Sequence, residues 1–146
     1  RGKDMMISTR GRYALRVLID LAEHNTGEFI PLKEVAARQE ISLKYIEKIM
    51  PLLSKAGYVI CMHGKRGGYR LLKDPADYSV GDILRLTEGD LAPVSCLMPD
   101  APPCKRAAHC KTLRMWRDYF KMTNDYFDNI KITDLANIQN MPDFVI

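Results

Sequence analysis

Nothing in the chain approaches the roughly 18 uninterrupted apolar residues that a membrane-spanning helix requires. No secretory-leader pattern is visible, so the expected setting is cytoplasmic and reducing. No nucleophile–base pair or acid–base constellation stands out, which argues against an enzyme. The glycine-rich stretch Gly64–Gly68 lies between two strand-like runs rather than between a strand and a helix, so it is a poor phosphate-cradling nucleotide loop. Charge of one sign is not extreme either: 22 Lys and Arg against 18 Asp and Glu leave +4.

What the chain does carry is unevenly placed. Residues 1–75 hold 14 Lys and Arg against 8 Asp and Glu, a net of +6, whereas residues 76–146 hold 8 against 10, a net of −2. A basic front half fits a polyanion binder. An apolar share of 47% fits a globular chain, and 146 residues suffice for a real core. Arg1 to Asp4, ahead of Met5 and Met6, read as an appended remnant.

The centre of the basic half is Ser42–Gly57. Ser42 is a good N-cap and Gly57 a good left-handed terminator. Ile46, Ile49, Met50 and Leu53 recur at helical spacing and predict a core-facing stripe. Lys44, Tyr45, Glu47, Lys48 and Lys55 fall on or near the opposite face. Taken alone, that face is an ordinary solvated one or a basic face shaped for a DNA major groove. Pro51 predicts a kink or an early end.

The flanking stretches favour DNA. Periodicity predicts a first helix over 9–24, with Ala14, Val17, Leu18, Leu21 and Ala22 on one face, ended by Asn25, Thr26 and Gly27. Pro31 leads into a second helix over 32–39, its apolar face made by Leu32, Val35 and Ala36. Two short helices joined by a tight turn, the second basic, outline a helix-turn-helix. Strands over 58–62 and 69–72 around the Gly64–Gly68 tip add a hairpin wing, whose Lys65 and Arg66 can reach phosphates or a minor groove. The tip glycines permit close backbone approach.

Downstream, Ser79 with Asp82 resembles a capping box opening a helix to about Thr87. Residues 88–103 form a Pro-rich loop. A long helix is expected from about 107 to 129. Leu113, Trp116, Phe120, Thr123 and Phe127 form a stripe on it, with Met115, Tyr119, Met122 and Tyr126 alongside. That is more apolar surface than one helix can bury on a small domain, so a partner helix is expected. Thr133 is expected to cap a last turn over 134–138, ahead of a loose tail after Met141. The fold class is therefore mainly α with a small β-hairpin wing: a winged helix-turn-helix domain over 6–88, a cysteine-containing sensor loop over 89–109, and a dimerisation helix with a C-terminal turn over 107–139.

Three of the four cysteines, Cys96, Cys104 and Cys110, are separated by seven and then five residues. In a reducing compartment such a cluster points to metal or redox chemistry rather than a disulfide frame. Thiolates are the normal iron–sulfur ligands, and Lys105, Arg106 and a nearby helix start favour the thiolate form. Unligated redox-active thiols, or zinc with His109 as a fourth ligand, remain alternatives. Cys61, on the wing strand, reads as core.

Three segments carry a resemblance: Ser8–Arg16 (STRGRYALR), Ile41–Glu47 (ISLKYIE) and Gly64–Leu71 (GKRGGYRL). Together they resemble the Rrf-two family of bacterial transcriptional regulators, over about 6–138. The resemblance implies a homodimer of winged-helix domains, crossed through the long C-terminal helix, on a pseudo-palindromic double-stranded operator. It also implies that Lys44, Tyr45, Glu47 and Lys48 meet DNA, with Ser42, His63, Lys65 and Arg66 completing the candidate set. Glu47 can accept from a cytosine amino group, or pair with Lys44 or Lys48 on its own helix. Family wings usually carry an arginine before the tip glycine. Here His63 stands there and Arg66 lies three positions on. In cluster-binding members, three loop cysteines hold an iron–sulfur cluster of the 2Fe–2S or 4Fe–4S type, one that purification in air can strip. In this chain the first cysteine gap is longer, and two fourth-ligand positions of the family fall at Leu113 and Arg12, neither of which ligates. The expectation is a homodimeric regulator sensing iron–sulfur or redox status. The alternatives are a cluster-free regulator of cysteine or sulfur metabolism under a partner protein's control and, further off, an iron–sulfur redox carrier.

Overall fold

The computed structural model describes residues 7–136. Helix α1 spans Thr9–Glu23, α2 Leu32–Gln39 and α3 Leu43–Lys55. Strands β1 (Val59–Met62) and β2 (Gly68–Leu71) form the hairpin, followed by α4 (Val80–Glu88), α5 (Leu113–Asp128) and α6 (Ile132–Ala136). Short 3₁₀ turns lie at Pro75–Asp77 and Ser95–Leu97.

Helices α1, α3 and α4 each start where the sequence supplies a side-chain acceptor, whereas α2 starts behind Pro31, which makes no side-chain cap. The Ser8 hydroxyl accepts from the Gly11 amide at 3.0 Å, Ser42 from Tyr45 at 3.1 Å and Ser79 from Asp82 at 3.0 Å. Of the Ser79–Asp82 capping box, the serine half forms, while the Asp82 carboxylate goes to Arg85 at 3.0 Å. The expected apolar stripes meet in one core: Ala14, Val17, Leu18 and Leu21 of α1, Val35 and Ala36 of α2, and Ile46, Ile49, Met50 and Leu53 of α3. Burial of each large side chain here contributes about 1.5–3 kcal/mol. Helix α3 does not end at Pro51 but runs on to Lys55. Pro51 and Glu47 are both exposed, so water can take the carbonyl that the proline leaves without a donor. Gly57 then adopts φ 84° one residue after the cap.

The hairpin pairs Val59 with Leu71 and Met62 with Gly68. Ile30 joins it as a one-residue third strand, exchanging two 2.9 Å hydrogen bonds with Tyr69. Gly68 makes this possible: at φ 153° it lies so close to Ile30 that a Cβ would overlap the Ile30 carbonyl. A Cβ on Gly67 would likewise overlap the Met62 carbonyl. These two glycines serve the chain's own packing, whereas Gly64 faces open space. At the hairpin base, the buried Tyr78 hydroxyl donates to the Tyr58 carbonyl at 2.6 Å and accepts from the Lys73 amide at 2.9 Å. Burial raises its pKa.

Helix α5 differs from the expectation at its start. It begins at Leu113, not near 107, because residues 104–109 fold into turns closed by Ala107 to Cys104 and His109 to Arg106 bonds. Ala107 and Ala108 are exposed and offer no apolar face to dock, while the stripe that can dock opens at Leu113. Arg85 ties α5 to α4 through Asn124 at 2.8 Å and through Asp128. After α5 the chain returns to the core: Val80 donates to Ile130 at 2.8 Å, Ile132 donates to Tyr78 at 3.0 Å, and Ile132 is fully buried. The last helix among the described residues is α6, with Asp134 accepting from the Lys131 amide at 2.8 Å, rather than a turn capped by Thr133. Ile138 and the tail after Met141 lie outside the described residues.

Candidate nucleic-acid interface

Helix α3 buries its apolar side and leaves Ser42, Lys44, Glu47 and Lys48 exposed. Ser42 spends its oxygen on the cap but keeps its O–H free to donate. Among the described residues Glu47 makes no ion pair with Lys44 or Lys48, so its carboxylate is open as an acceptor. Tyr45 is different. Its ring is half-buried and stands edge-on to Tyr13 of α1, with centroids 5.3 Å apart. The tyrosine is thus packing as well as surface.

At the wing tip His63, Lys65 and Arg66 are all exposed, on a turn closed by Gly67 N–H to Gly64 O at 3.0 Å. A second basic site therefore stands on the same winged domain as the α3 front, held to the core by the Ile30–Tyr69 bridge. Arg70 at the wing's root is committed inward, donating to Gly27 O at 2.7 Å and covering the Phe29 ring at 4.5 Å.

Sequence reasoning missed the residues that hold the helix-turn-helix together. Asp20 of α1 is buried at 1% exposure. Its carboxylate accepts from Arg38 at 2.7 and 3.1 Å and from Gln39 at 2.9 Å. Arg16, one turn earlier, donates to the Gln39 carbonyl and stands 3.3 Å from its Oε1. These contacts meet at the turn into α3, where Glu40 takes the left-handed φ of 54°. The available signal was an acid three residues after Val17 on an apolar stripe.

In the loop between α4 and α5, Cys96 and Cys104 are exposed and Cys110 is half-exposed. Cys110 Sγ lies 3.6 Å from the Thr112 hydroxyl. That contact, backbone amides of Thr112 and Leu113, and the Arg106 charge lower its thiol pKa and favour thiolate. The donor chemistry suits iron–sulfur ligation. Among the described residues, however, no three His, Cys, Asp or Glu side chains are gathered into a metal-holding group, so the single chain does not assemble the expected trio. His109 does not complete a zinc set for the same reason. Cys61 is half-buried on β1, opposite Tyr69. No helix among the described residues is long and apolar enough to cross a membrane.

Known proteins place this arrangement. The family model described as Rrf2, iron-dependent transcriptional regulator, matches residues 7–138. The chain is 37% identical to the protein Rrf2 of Nitratidesulfovibrio vulgaris over 131 residues, covering 90% of this chain and 87% of that protein. It is 31% identical to the transcriptional regulator IscR of Serratia proteamaculans, covering 94% and 82%. Among solved structures it superimposes on CymR, the global cysteine regulator of B. subtilis, with a TM-score of 0.73 at 32% identity, covering 90% and 96%. It matches T. potens IscR with a TM-score of 0.73 at 28% identity, covering 96% and 93%. Members of this group are DNA-binding regulators rather than enzymes, and the chain belongs to the Rrf2 family of winged-helix transcriptional regulators.

Proposed function

We propose that the protein is a homodimer that reads a two-half-site operator, with α3 entering the major groove and the wing following the backbone. The exposed Lys44, Glu47 and Lys48 on α3, on one domain with the exposed Lys65 and Arg66, carry this reading. Lys44 and Lys48 supply charge to phosphate or base edges, Glu47 accepts from a base amino group, and Ser42 donates to phosphate. Tyr45 contributes from the rim of α3. His63 adds a hydrogen-bonding group where the wing leaves β1.

Dimerisation through α5 is supported by its lack of any buried residue, although it carries Trp116, Phe120 and Phe127. A pair of such helices covers both stripes and sets the spacing between two copies of α3.

The loop of Cys96, Cys104 and Cys110 is the sensor. Those three thiolates would hold an iron–sulfur cluster, which supplies redox- and oxidant-sensitive chemistry when bound. The loop runs between α4 of the winged domain and α5 of the dimer, so ordering it alters the link between half-sites. A gel shift with salt titration on duplex DNA tests the reader, which should bind selectively and weaken steeply with salt. Anaerobic reconstitution with iron and sulfide analysis tests the sensor. Replacing all three loop cysteines by Ser should abolish any visible cluster absorbance. A protein that takes up no iron or sulfide anaerobically selects the second reading, a cluster-free regulator of cysteine or sulfur metabolism under a partner protein's control. That reading draws on the three thiols standing apart and on the likeness to CymR.

A further inference from the structure

We propose that Asp20 and Arg16 of α1 are positioning residues for DNA reading: they clamp the turn at Arg38–Gln39 and so fix the pose of α3, on which base discrimination depends. The proposal rests on α3 being the reading helix.

Asp20 is buried and touches no surface that DNA can reach. A buried carboxylate is tolerated only when paired and hydrogen-bonded. Here both its oxygens are committed to the end of α2, taking the Arg38 guanidinium at 2.7 and 3.1 Å and the Gln39 amide at 2.9 Å. Arg16 grips the same residue from one turn earlier, through the Gln39 carbonyl and side-chain oxygen. The gripped residues are the last two of α2. Glu40 then turns left-handed, Ile41 is buried and Ser42 caps α3. A non-glycine residue at φ 54° is held only where its surroundings over-determine it. A second tether runs in parallel: Arg16 lies over the Tyr13 ring at 5.2 Å, and Tyr13 packs edge-on to Tyr45 of α3. α1 therefore holds both the turn before the reading helix and the first turn of that helix.

Base and phosphate contacts respond differently to a loosened pose. Bidentate and carboxylate contacts to base edges need near-fixed geometry, whereas flexible lysines follow phosphates through small shifts. The clamp should thus govern selectivity more than general affinity.

The test uses the full chain and two duplexes. One is selected by the wild type from a randomised pool; the other is a scramble of it. Asp20→Asn keeps the side-chain shape but removes the charge held by Arg38. Binding is measured at fixed salt, below the melting midpoint, with helicity checked by circular dichroism. We expect affinity for the selected duplex to fall at least tenfold, affinity for the scramble to stay within about twofold, and the salt slope to hold. Combined with Glu47→Ala, the loss should be smaller than the product of the single losses, because the displaced α3 no longer presents Glu47. Equal losses on both duplexes, no loss on either, or fully independent losses in the double variant each overturn the clamp. Should Asp20→Asn fail to fold, Arg38→Lys, which keeps the charge and loses the fork, gives the same readout. A wild type that enriches no sequence from the pool overturns the α3 reading itself, and the clamp with it; the variant results bear on the clamp alone.

Discussion

Met122→Lys on α5 gives the sharpest test of the proposed dimer. Met115, Tyr119, Met122 and Tyr126 are 52%, 44%, 66% and 66% exposed on the single chain. At about 200 Å² per large side chain they leave about 450 Å² bare per protomer, or about 900 Å² for two. A specific interface buries roughly 1,200–2,000 Å², so this row provides about half of one, and the neighbouring Trp116, Phe120 and Phe127 edges can supply the remainder. At about 25 cal/mol per Å² the row contributes about 20 kcal/mol gross, against an association cost of about 4–15 kcal/mol. Met122 accounts for about 130 Å² of it per chain, and it occurs twice in a two-fold dimer, which makes about 6 kcal/mol. A lysine stem recovers part of that area, so we expect a loss of at least about 3 kcal/mol, roughly a hundredfold in the dimer constant. Because Met122 is solvent-facing in the protomer, the winged domain should remain folded. Sedimentation equilibrium gives the dimer constant, and circular dichroism the fold. A Met122→Lys protein that dimerises as tightly as wild type would refute the α5 interface.

Other predictions follow from the wing and from the α1–α4 junction. Lys65→Ala and Arg66→Ala should each reduce the slope of log affinity against log salt by about one, with little change in sequence preference; an unchanged slope removes that residue from the phosphate contacts. Gly68→Ala places a methyl in the Ile30 carbonyl and at an unfavourable φ, so thermal unfolding should show a loss of about 1–3 kcal/mol and weaker DNA binding as the wing detaches. Burial pushes the Glu88 carboxyl up, but hydrogen bonds from the Ser8 hydroxyl and amide, from Thr87, and the charge of Arg10 outweigh it, leaving the pKa below its ordinary value. A depressed carboxyl pKa stabilises the fold above the unfolded pKa and loses that contribution as pH falls through the folded one. Glu88→Gln should therefore lower stability at neutral pH and flatten the acid limb of a stability–pH profile. An acid limb as steep as wild type would show that Glu88 does not contribute to it.

Much of the winged domain was legible because its signals are local. Ser8, Ser42 and Ser79 cap the helices they precede, and the 3.6-residue stripes of α1 and α3 go to the core as patterned. The hairpin follows from a glycine-rich tip between two strand-like runs. The candidate DNA face was legible for the same reason: exposing Lys44, Glu47 and Lys48 follows from burying Ile46, Ile49 and Met50. The start of α5 was not, since the backbone propensity of residues 107–112 does not reveal that those residues have nothing to pack against. Nor was the role of Gly67 and Gly68, which depends on how closely Ile30 approaches the wing. Tyr45 read as a surface residue until Tyr13, 32 positions away, supplied a ring to pack on.

The sequence by itself determined the helix-turn-helix, the wing, the basic face and the three thiols of the loop, because periodicity, caps and composition act over a few residues. Tertiary structure alone decided that Asp20 is buried against Arg38 and Gln39, that Gly68 abuts Ile30, and that α5 stands without a buried residue while Ile132 returns to the core. Those outcomes depend on which distant segments meet, and the desolvation and steric terms that fix them exist only once they have met.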